Sequence, residues 1–454
     1  MTPARIAIVG SGPAGFYAAA DVFKRDGSAT VDMIDRLPTP GGLVRAGVSP
    51  DHAARREVID TYERLAMASG RFRFFGNVEI GKELHHDDLM AHYDAVIYAC
   101  GSAGDRGLGI PGEDLPGSHA ATSFVGWYNG HPDYAAEQFD LSGERAVVVG
   151  NGNVALDVAR MLLAGEASLR ATDIAEHALQ ALRTSQIREV IVIGRRGASQ
   201  SSFTTPEVLE LGQQSFDVLV ENAEAAPGAG RNDASTYAAD LKLRLFDEFT
   251  SRAIRFPSRR VILRFLTSPA QIIGDDRVRA VQLVRNRLEM RDGGGLVAVP
   301  TDQLEEVSTG LLLRAVGYRG QPVPGLPFDS ANGIVPNRHG RVVDESSLHL
   351  PGTYVAGWLK RGPSGVIGTN KFCSRETVSS MLDDLGRGRG RERGSDASGF
   401  KRLLAQRCAD HTDYFGWKRI DQYEREVGLQ NEKLRRKVTD WTALNDLAHG
   451  RSPV

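Results

Sequence analysis

The sequence predicts an α/β protein built from two nested, Rossmann-like, three-layer dinucleotide-binding domains, and three observations predict it. Two glycine turns, Gly10-Ser11-Gly12-Pro13-Ala14-Gly15 and Gly150-Asn151-Gly152-Asn153-Val154-Ala155, each join a short apolar strand to a helix. Two further apolar runs end alike, at Ala99-Cys100-Gly101 and at Val316-Gly317-Tyr318, as two passages between nested domains would. The last third then supplies another strand, glycine-rich loop and helix, which returns the chain to the first domain.

Arg5 to Val9 reads as a buried strand, and the helix after it meets no breaker before Arg25. In the turn, Gly10 bends the chain tightly, Gly12 lets the backbone approach a pyrophosphate, and Gly15 brings helix and strand close. The helix, opened by Pro13, then faces the phosphates with the unpaired N–H groups of its first turn from Ala14 onward. A second strand, Thr30 to Ile34, ends in Asp35, placed to bind ribose hydroxyls. The following loop carries Gly41, Gly42, Leu43 and Val44, a mix suited to packing on a flat ligand, and leads to a helix beginning near Pro50. His52, just inside that helix, is a candidate catalytic residue or a surface or capping histidine. Phe72 to Phe75 and Val78 to Ile80 read as a hairpin-like pair or as a strand followed by a loop, and Tyr93 to Cys100 as a buried strand that sets Gly101 beside a cofactor.

The domain boundaries are expected at 104/105 and 323/324, giving 1–104 and 324–454 to the first domain and 105–323 to the second. In the second, Glu144 to Val149 is a strand, the turn follows, and the helix continues to Leu163. A helical insertion near Ser168 to Arg183 precedes the strand Glu189 to Ile193, which ends in Gly194-Arg195-Arg196 rather than in an acid. A carboxylate there would repel a 2′-phosphate, whereas two guanidiniums offer it forked donors, so this site should prefer NADP over NAD. Glu207 falls in the first turn of a helix that Thr204 could cap. Ala223 to Ser235 reads as a surface loop, and Val261 to Phe265 and Val278 to Asn286 as strands. Gly386 to Gly394 reads as a linker, and the region from Gly399 as helical, with Lys433, Arg435, Arg436 and Lys437 on a solvated face.

A length of 454 residues calls for more than one domain, and 41% hydrophobic with 25% charged residues is a globular composition. With 55 Lys and Arg against 57 Asp and Glu, no global field points to nucleic acid or to an anionic membrane. The three cysteines, Cys100, Cys373 and Cys408, are too few for an iron–sulfur cluster and too far apart for a local redox pair, and no metal is expected. No apolar run spans a bilayer and no signal segment precedes the first strand, so a cytoplasmic location is expected; a monomer is the separate expectation for its assembly.

The series GSGPAG, GGLVRAGVSPDH, GNGNVALDVAR, GRRG, TTPE and AGWLKRGPSGVIGTN resembles the adrenodoxin reductase family of ferredoxin–NADP reductases over nearly the whole chain. The resemblance implies a glutathione-reductase-like flavoenzyme, with FAD in the discontinuous domain and NADPH in the inserted one. A hydride would pass from nicotinamide to flavin, and electrons would leave singly to a ferredoxin-type iron–sulfur protein. It implies that Ala14, Asp35, Leu43 and Val78 contact FAD, and that Gly357, Trp358, Gly365, Val366 and Ile367 hold its isoalloxazine end. Arg106, Asn151, Gly152, Asn153, Val154, Arg195 and Arg196 would bind NADP, with Glu207 and Gly365 near the nicotinamide. His52 and Glu207 would then be polar neighbours of the reacting ring. An acidic ferredoxin would call for a local basic patch, with Arg45, Lys360, Arg361 and the cations from Lys242 to Arg260 as candidates. Two departures stand out: Asp35 where the family commonly has Glu, and Ala46 where a larger aromatic residue is usual. The rival readings are a disulfide reductase, an electron-input subunit like the small subunit of glutamate synthase, and a non-catalytic FAD/NADP sensor.

Overall fold

The computed structural model describes residues 3–68, 70–223, 234–291, 295–388 and 397–452. The chain divides into two compact units, Met1–Gly104 with Tyr318–Val454 and Asp105–Gly317. The second crossing falls ahead of residue 323, at Gly317, which takes a φ of 111° shortly after the strand Leu311–Arg314.

In the first unit a seven-stranded sheet runs in the order Asn337–Arg338, Arg341–Val343, His349–Val355, Ala95–Tyr98, Arg5–Val9, Thr30–Ile34, Phe72–Phe75. The last five are parallel neighbours and the first two are antiparallel additions. Alternation along each strand makes two cores. Ile6, Ile8, Val31, Met33, Phe72 and Phe74 pack against the helices Pro13–Arg25, Val58–Met67, Thr369–Gly386 and Tyr414–Gln430. Ala7, Val9, Ile34, Phe75, Val96 and Tyr98 pack against His86–His92 and Ala397–Arg407. Of the two readings of 72–80, the strand followed by a loop holds and the hairpin-like pairing of 72–75 with 78–80 does not form. Phe72–Phe75 is instead a parallel edge strand on Thr30–Ile34, and the Val78 N–H is taken by the Asp35 carbonyl at 3.0 Å.

The second unit holds a six-stranded parallel sheet in the order Ser118–Ala120, Leu311–Arg314, Arg145–Val149, Glu189–Ile193, Arg260–Arg264, Asp217–Glu221. Ala146, Val148, Val190, Val192, Val261 and Leu263 face a helical layer that includes Ala121–Tyr128, Asn153–Leu163 and Thr205–Leu211. Val147, Val149, Ile191, Ile193 and Ile262 face the other way, onto an antiparallel meander of Thr267–Ile273, Ala280–Met290 and Leu296–Ser308. The run expected from Val278 thus belongs to a third layer and not to the nucleotide sheet. Each unit is centred on a run of parallel strands covered on both faces, the arrangement that places ligands at the carboxyl ends of strands.

The basic cluster near the C-terminus is not a solvated helix face. It follows the helix Tyr414–Gln430, with Lys433 and Lys437 buried and Arg435 paired to both Asp421 and Glu424 at 2.8 Å. Most of the expected surface loop and linker, residues 224–233 and 389–396, lies outside the described residues. No helix among the described residues is long and apolar enough to cross a membrane.

Candidate nucleotide and redox sites

The two glycine turns are built identically, each inside its own unit. At the first, the Gly10 N–H meets the Ile34 carbonyl at 2.7 Å and the Ala99 N–H meets the Val9 carbonyl at 2.7 Å. At the second, the Gly150 N–H meets Ile193 at 2.9 Å and the Ala315 N–H meets Val149 at 2.7 Å. Gly10 and Gly150 hold φ of 107° and 135°, and a Cβ on either would collide with the carbonyl of Ala99 or Ala315. No other residue fits either position. The helices that follow begin at Gly12 and Gly152 without side-chain caps, and the space a Cβ would enter at each is open. Unpaired N–H groups, a helix dipole and a backbone free of side chains suit a pyrophosphate at both turns.

The two units differ at the end of the second strand. Asp35 is half-buried, and its Oδ2 accepts the Ser11 N–H at 2.7 Å and the Ser11 hydroxyl at 2.6 Å, while Oδ1 accepts the Leu37 N–H at 2.9 Å. The carboxylate is thereby fixed beside the turn, in the position from which an acid reads ribose hydroxyls. The loop above comes close: the Gly41 N–H bonds the Ser11 carbonyl at 2.9 Å, and a Cβ on Gly42 would lie 2.9 Å from the Gly12 Cα. At the corresponding place in the second unit, among the described residues neither the Arg195 nor the Arg196 guanidinium has a protein partner, and Arg195 is exposed. Arg106 is likewise exposed and without a side-chain partner.

In the first unit the helix Thr369–Gly386 packs against Pro13–Arg25, with the Ser374 hydroxyl on the Ala14 carbonyl at 2.8 Å. Gly357, at φ 73°, leaves only 2.7 Å between a would-be Cβ and that of Ala14. The loop to the helix is braced by its own polar groups. Trp358 Nε1 donates to the Ser364 carbonyl at 3.1 Å, the Val366 N–H to Thr369 Oγ1 at 3.1 Å, and Arg361 to Asn370 Oδ1 at 3.2 Å. Gly365 takes φ 80° and Val366 is exposed. In the same unit Leu43 is half-buried and Val78 is buried. His52 is buried at the start of the short helix Ala53–Arg56.

Comparison with known proteins decides the family. Residues 4–201 match the Pyridine nucleotide-disulphide oxidoreductase family model. The chain is 44% identical to NADPH-ferredoxin reductase FprA of Mycobacterium leprae (strain TN), covering 98% of each. The chain belongs to the adrenodoxin reductase family of NADPH-ferredoxin reductases. It is also 40% identical to the mitochondrial NADPH:adrenodoxin oxidoreductase of Arabidopsis thaliana, over 97% of this chain and 95% of that one. Its fold matches the structure of Mycobacterium tuberculosis FprA in complex with NADPH with a TM-score of 0.93 at 43% identity, covering 99% and 100% of the two chains.

Within this member of the adrenodoxin reductase family, several sequence expectations change. Thr204 does not cap its helix by its hydroxyl; the Asn153 side chain accepts the Thr204 N–H at 2.8 Å instead. Arg45 and Lys360 are not free docking cations, because they pair with Glu424 and Glu376, each at 2.5 Å, and Arg361 is tied to Asn370 and Ser364. Lys242 is buried. The three cysteines form no disulfide, and Cys100 is exposed, Cys373 half-buried and Cys408 buried. The pattern reading passed over Ser11, which orients Asp35, and over the buried pair Arg160 and Glu207. The i, i+3 spacing of Asp157 and Arg160 was the available signal for the second.

Proposed function

We propose that this chain is an NADPH-dependent ferredoxin reductase, with FAD held by its first unit and NADPH by its second. The carrying observation is the duplicated glycine turn with opposite second-strand endings, a fixed carboxylate at Asp35 and two guanidiniums, Arg195 and Arg196, that have no partner among the described residues. One ending accepts ribose hydroxyls; the other calls for a phosphate.

Gly12, Ala14, Asp35, Leu43 and Val78 would hold the nucleotide part of FAD, and Trp358 with the backbone of 365–367 its ring. Arg106, Asn151 to Val154, Arg195 and Arg196 would seat NADPH. What FAD supplies when bound is conversion between hydride chemistry and single-electron transfer. The protein contributes placement and charge. His52 and Glu207 are the candidate polar neighbours of the reacting rings, and the buried Arg160 keeps Glu207 oriented. The partner is a ferredoxin-type iron–sulfur protein, and the enzyme works as a monomer in the cytoplasm.

Stopped-flow mixing of FAD-loaded protein with NADPH tests the reading. Rapid bleaching of the flavin, followed by ferredoxin-dependent reduction of cytochrome c, is expected. Absent or very slow bleaching would indicate a nucleotide sensor instead. A disulfide reductase is disfavoured by the three separate cysteines.

A further inference from the structure

Lys242 lies on the helix Ala234–Ser251 and is only 7% exposed. Its Nζ donates to the Ser201 carbonyl at 2.7 Å and the Ser201 hydroxyl at 3.3 Å. Among the described residues no carboxylate pairs with it. Buried ammonium groups are ordinarily paired with a counter-charge, so this one is unusual. Burial accordingly pulls its pKa down.

Its position gives the oddity a meaning. Ser201 closes the segment that opens with Gly194-Arg195-Arg196, and that segment's carbonyls are held along its length. Gly194 accepts from the Thr267 N–H at 3.0 Å, Arg195 from Asn286 Nδ2 at 3.0 Å, Arg196 from the Leu266 N–H at 3.1 Å, and Ser201 from Lys242. One clamp is thus a buried cation, and the segment it clamps carries two more cations with no protein partner among the described residues. What the three lack in common is an anion.

We propose that Lys242 is a specificity-determining positioning residue for the 2′-phosphate of the nicotinamide nucleotide. It acts through Ser201, holding Arg195 and Arg196 in register and adding a fixed positive charge behind them. The inference rests on reading those arginines as the phosphate-binding pair.

The test uses the FAD-loaded holoenzyme, its Lys242→Met and Lys242→Arg variants, and two probes free of redox chemistry, 2′,5′-ADP and ADP, titrated by calorimetry. Lys242→Met should weaken 2′,5′-ADP by about tenfold and leave ADP unchanged. Its NADPH KM should rise with little change in kcat, and Lys242→Arg should recover most of the loss. Equal losses for both probes, or no loss, would reduce Lys242 to a packing residue and overturn the proposal. If wild-type protein itself binds 2′,5′-ADP no better than ADP, the arginine reading fails and this inference fails with it. Should Lys242→Met not fold, Lys242→Gln keeps a hydrogen-bonding side chain without the charge and is judged by the same outcomes.

Discussion

The Arg160 guanidinium meets the Glu207 carboxylate at 3.5 Å with both residues 1% exposed, and it reaches Asp157 at 2.6 Å through its other nitrogen. A guanidinium sealed in this way cannot shed its charge, so the carboxylates beside it are what make its burial tolerable. Removing the cation leaves buried Glu207 with less compensation. Arg160→Met should therefore lower the unfolding free energy by roughly 3–5 kcal/mol, and Arg160→Lys by less, in urea titrations. A loss within the range of an exposed pair, about 1 kcal/mol or below, would show that this contact holds nothing together.

Asp35 and Ser11 make a similar case at the first turn. Ser11 is wholly buried, and both of its donors end on one carboxylate oxygen. Asp35→Ala strands an amide and a hydroxyl together, a cost of about 1–3 kcal/mol, and removes the group expected to bind ribose. The variant should be less stable and should lose FAD during gel filtration, whereas Asp35→Asn, which keeps an acceptor oxygen, should fall between it and wild type. Full retention of flavin by Asp35→Ala would remove the ribose role.

Both nucleotide folds were legible because their signals are local. A glycine turn, a strand before it and a charged strand end fall within a few dozen residues, and the backbone geometry at Gly10 and Gly150 admits no substitute. What pattern reading missed depends on partners distant in sequence. Phe72–Phe75 left a hairpin and a strand followed by a loop both open, because its partner, Thr30–Ile34, lies well before it in the chain. Arg45 looked like a surface cation, yet it is bound to Glu424, far along the chain. Charge in a sequence says nothing of whether its counter-charge has already been supplied.

Glu424 gives a pH prediction. Burial alone would raise its pKa, but Arg45, Arg435 and the Val438 N–H hold it below the ordinary carboxylate value. A depressed acid contributes stability that is fully present above its unfolded pKa, about 4.3 for Glu, and is lost as pH falls through the lower folded value. Glu424→Gln should be destabilised by roughly 3–5 kcal/mol at neutral pH, and its deficit should shrink steadily below about pH 4. Unfolding titrations of both proteins from neutral pH into the acid range measure this. A deficit that stays constant across the range would mean that the charge of Glu424 is not what matters.

Arg195 and Arg196 carry the prediction that bears most directly on function. They end the second strand of the second unit, where the first unit has Asp35, and among the described residues no carboxylate neutralises either guanidinium. Free of internal pairing, they lose nothing within the fold when replaced, so substitution should leave stability nearly unchanged. A phosphate dianion would meet two forked donors at this position, while the bare ribose of NADH would meet neither. Replacing both with Gln should therefore raise the KM for NADPH by roughly 10²–10⁴-fold, at about 1.5–3 kcal/mol for each lost charged hydrogen bond, and leave the NADH rate nearly where it was. The measurement is kcat/KM for each coenzyme at fixed ionic strength, with the melting temperature alongside. Equal falls for NADPH and NADH, or a drop in melting temperature, would assign the pair to the scaffold and leave the phosphate preference without a source.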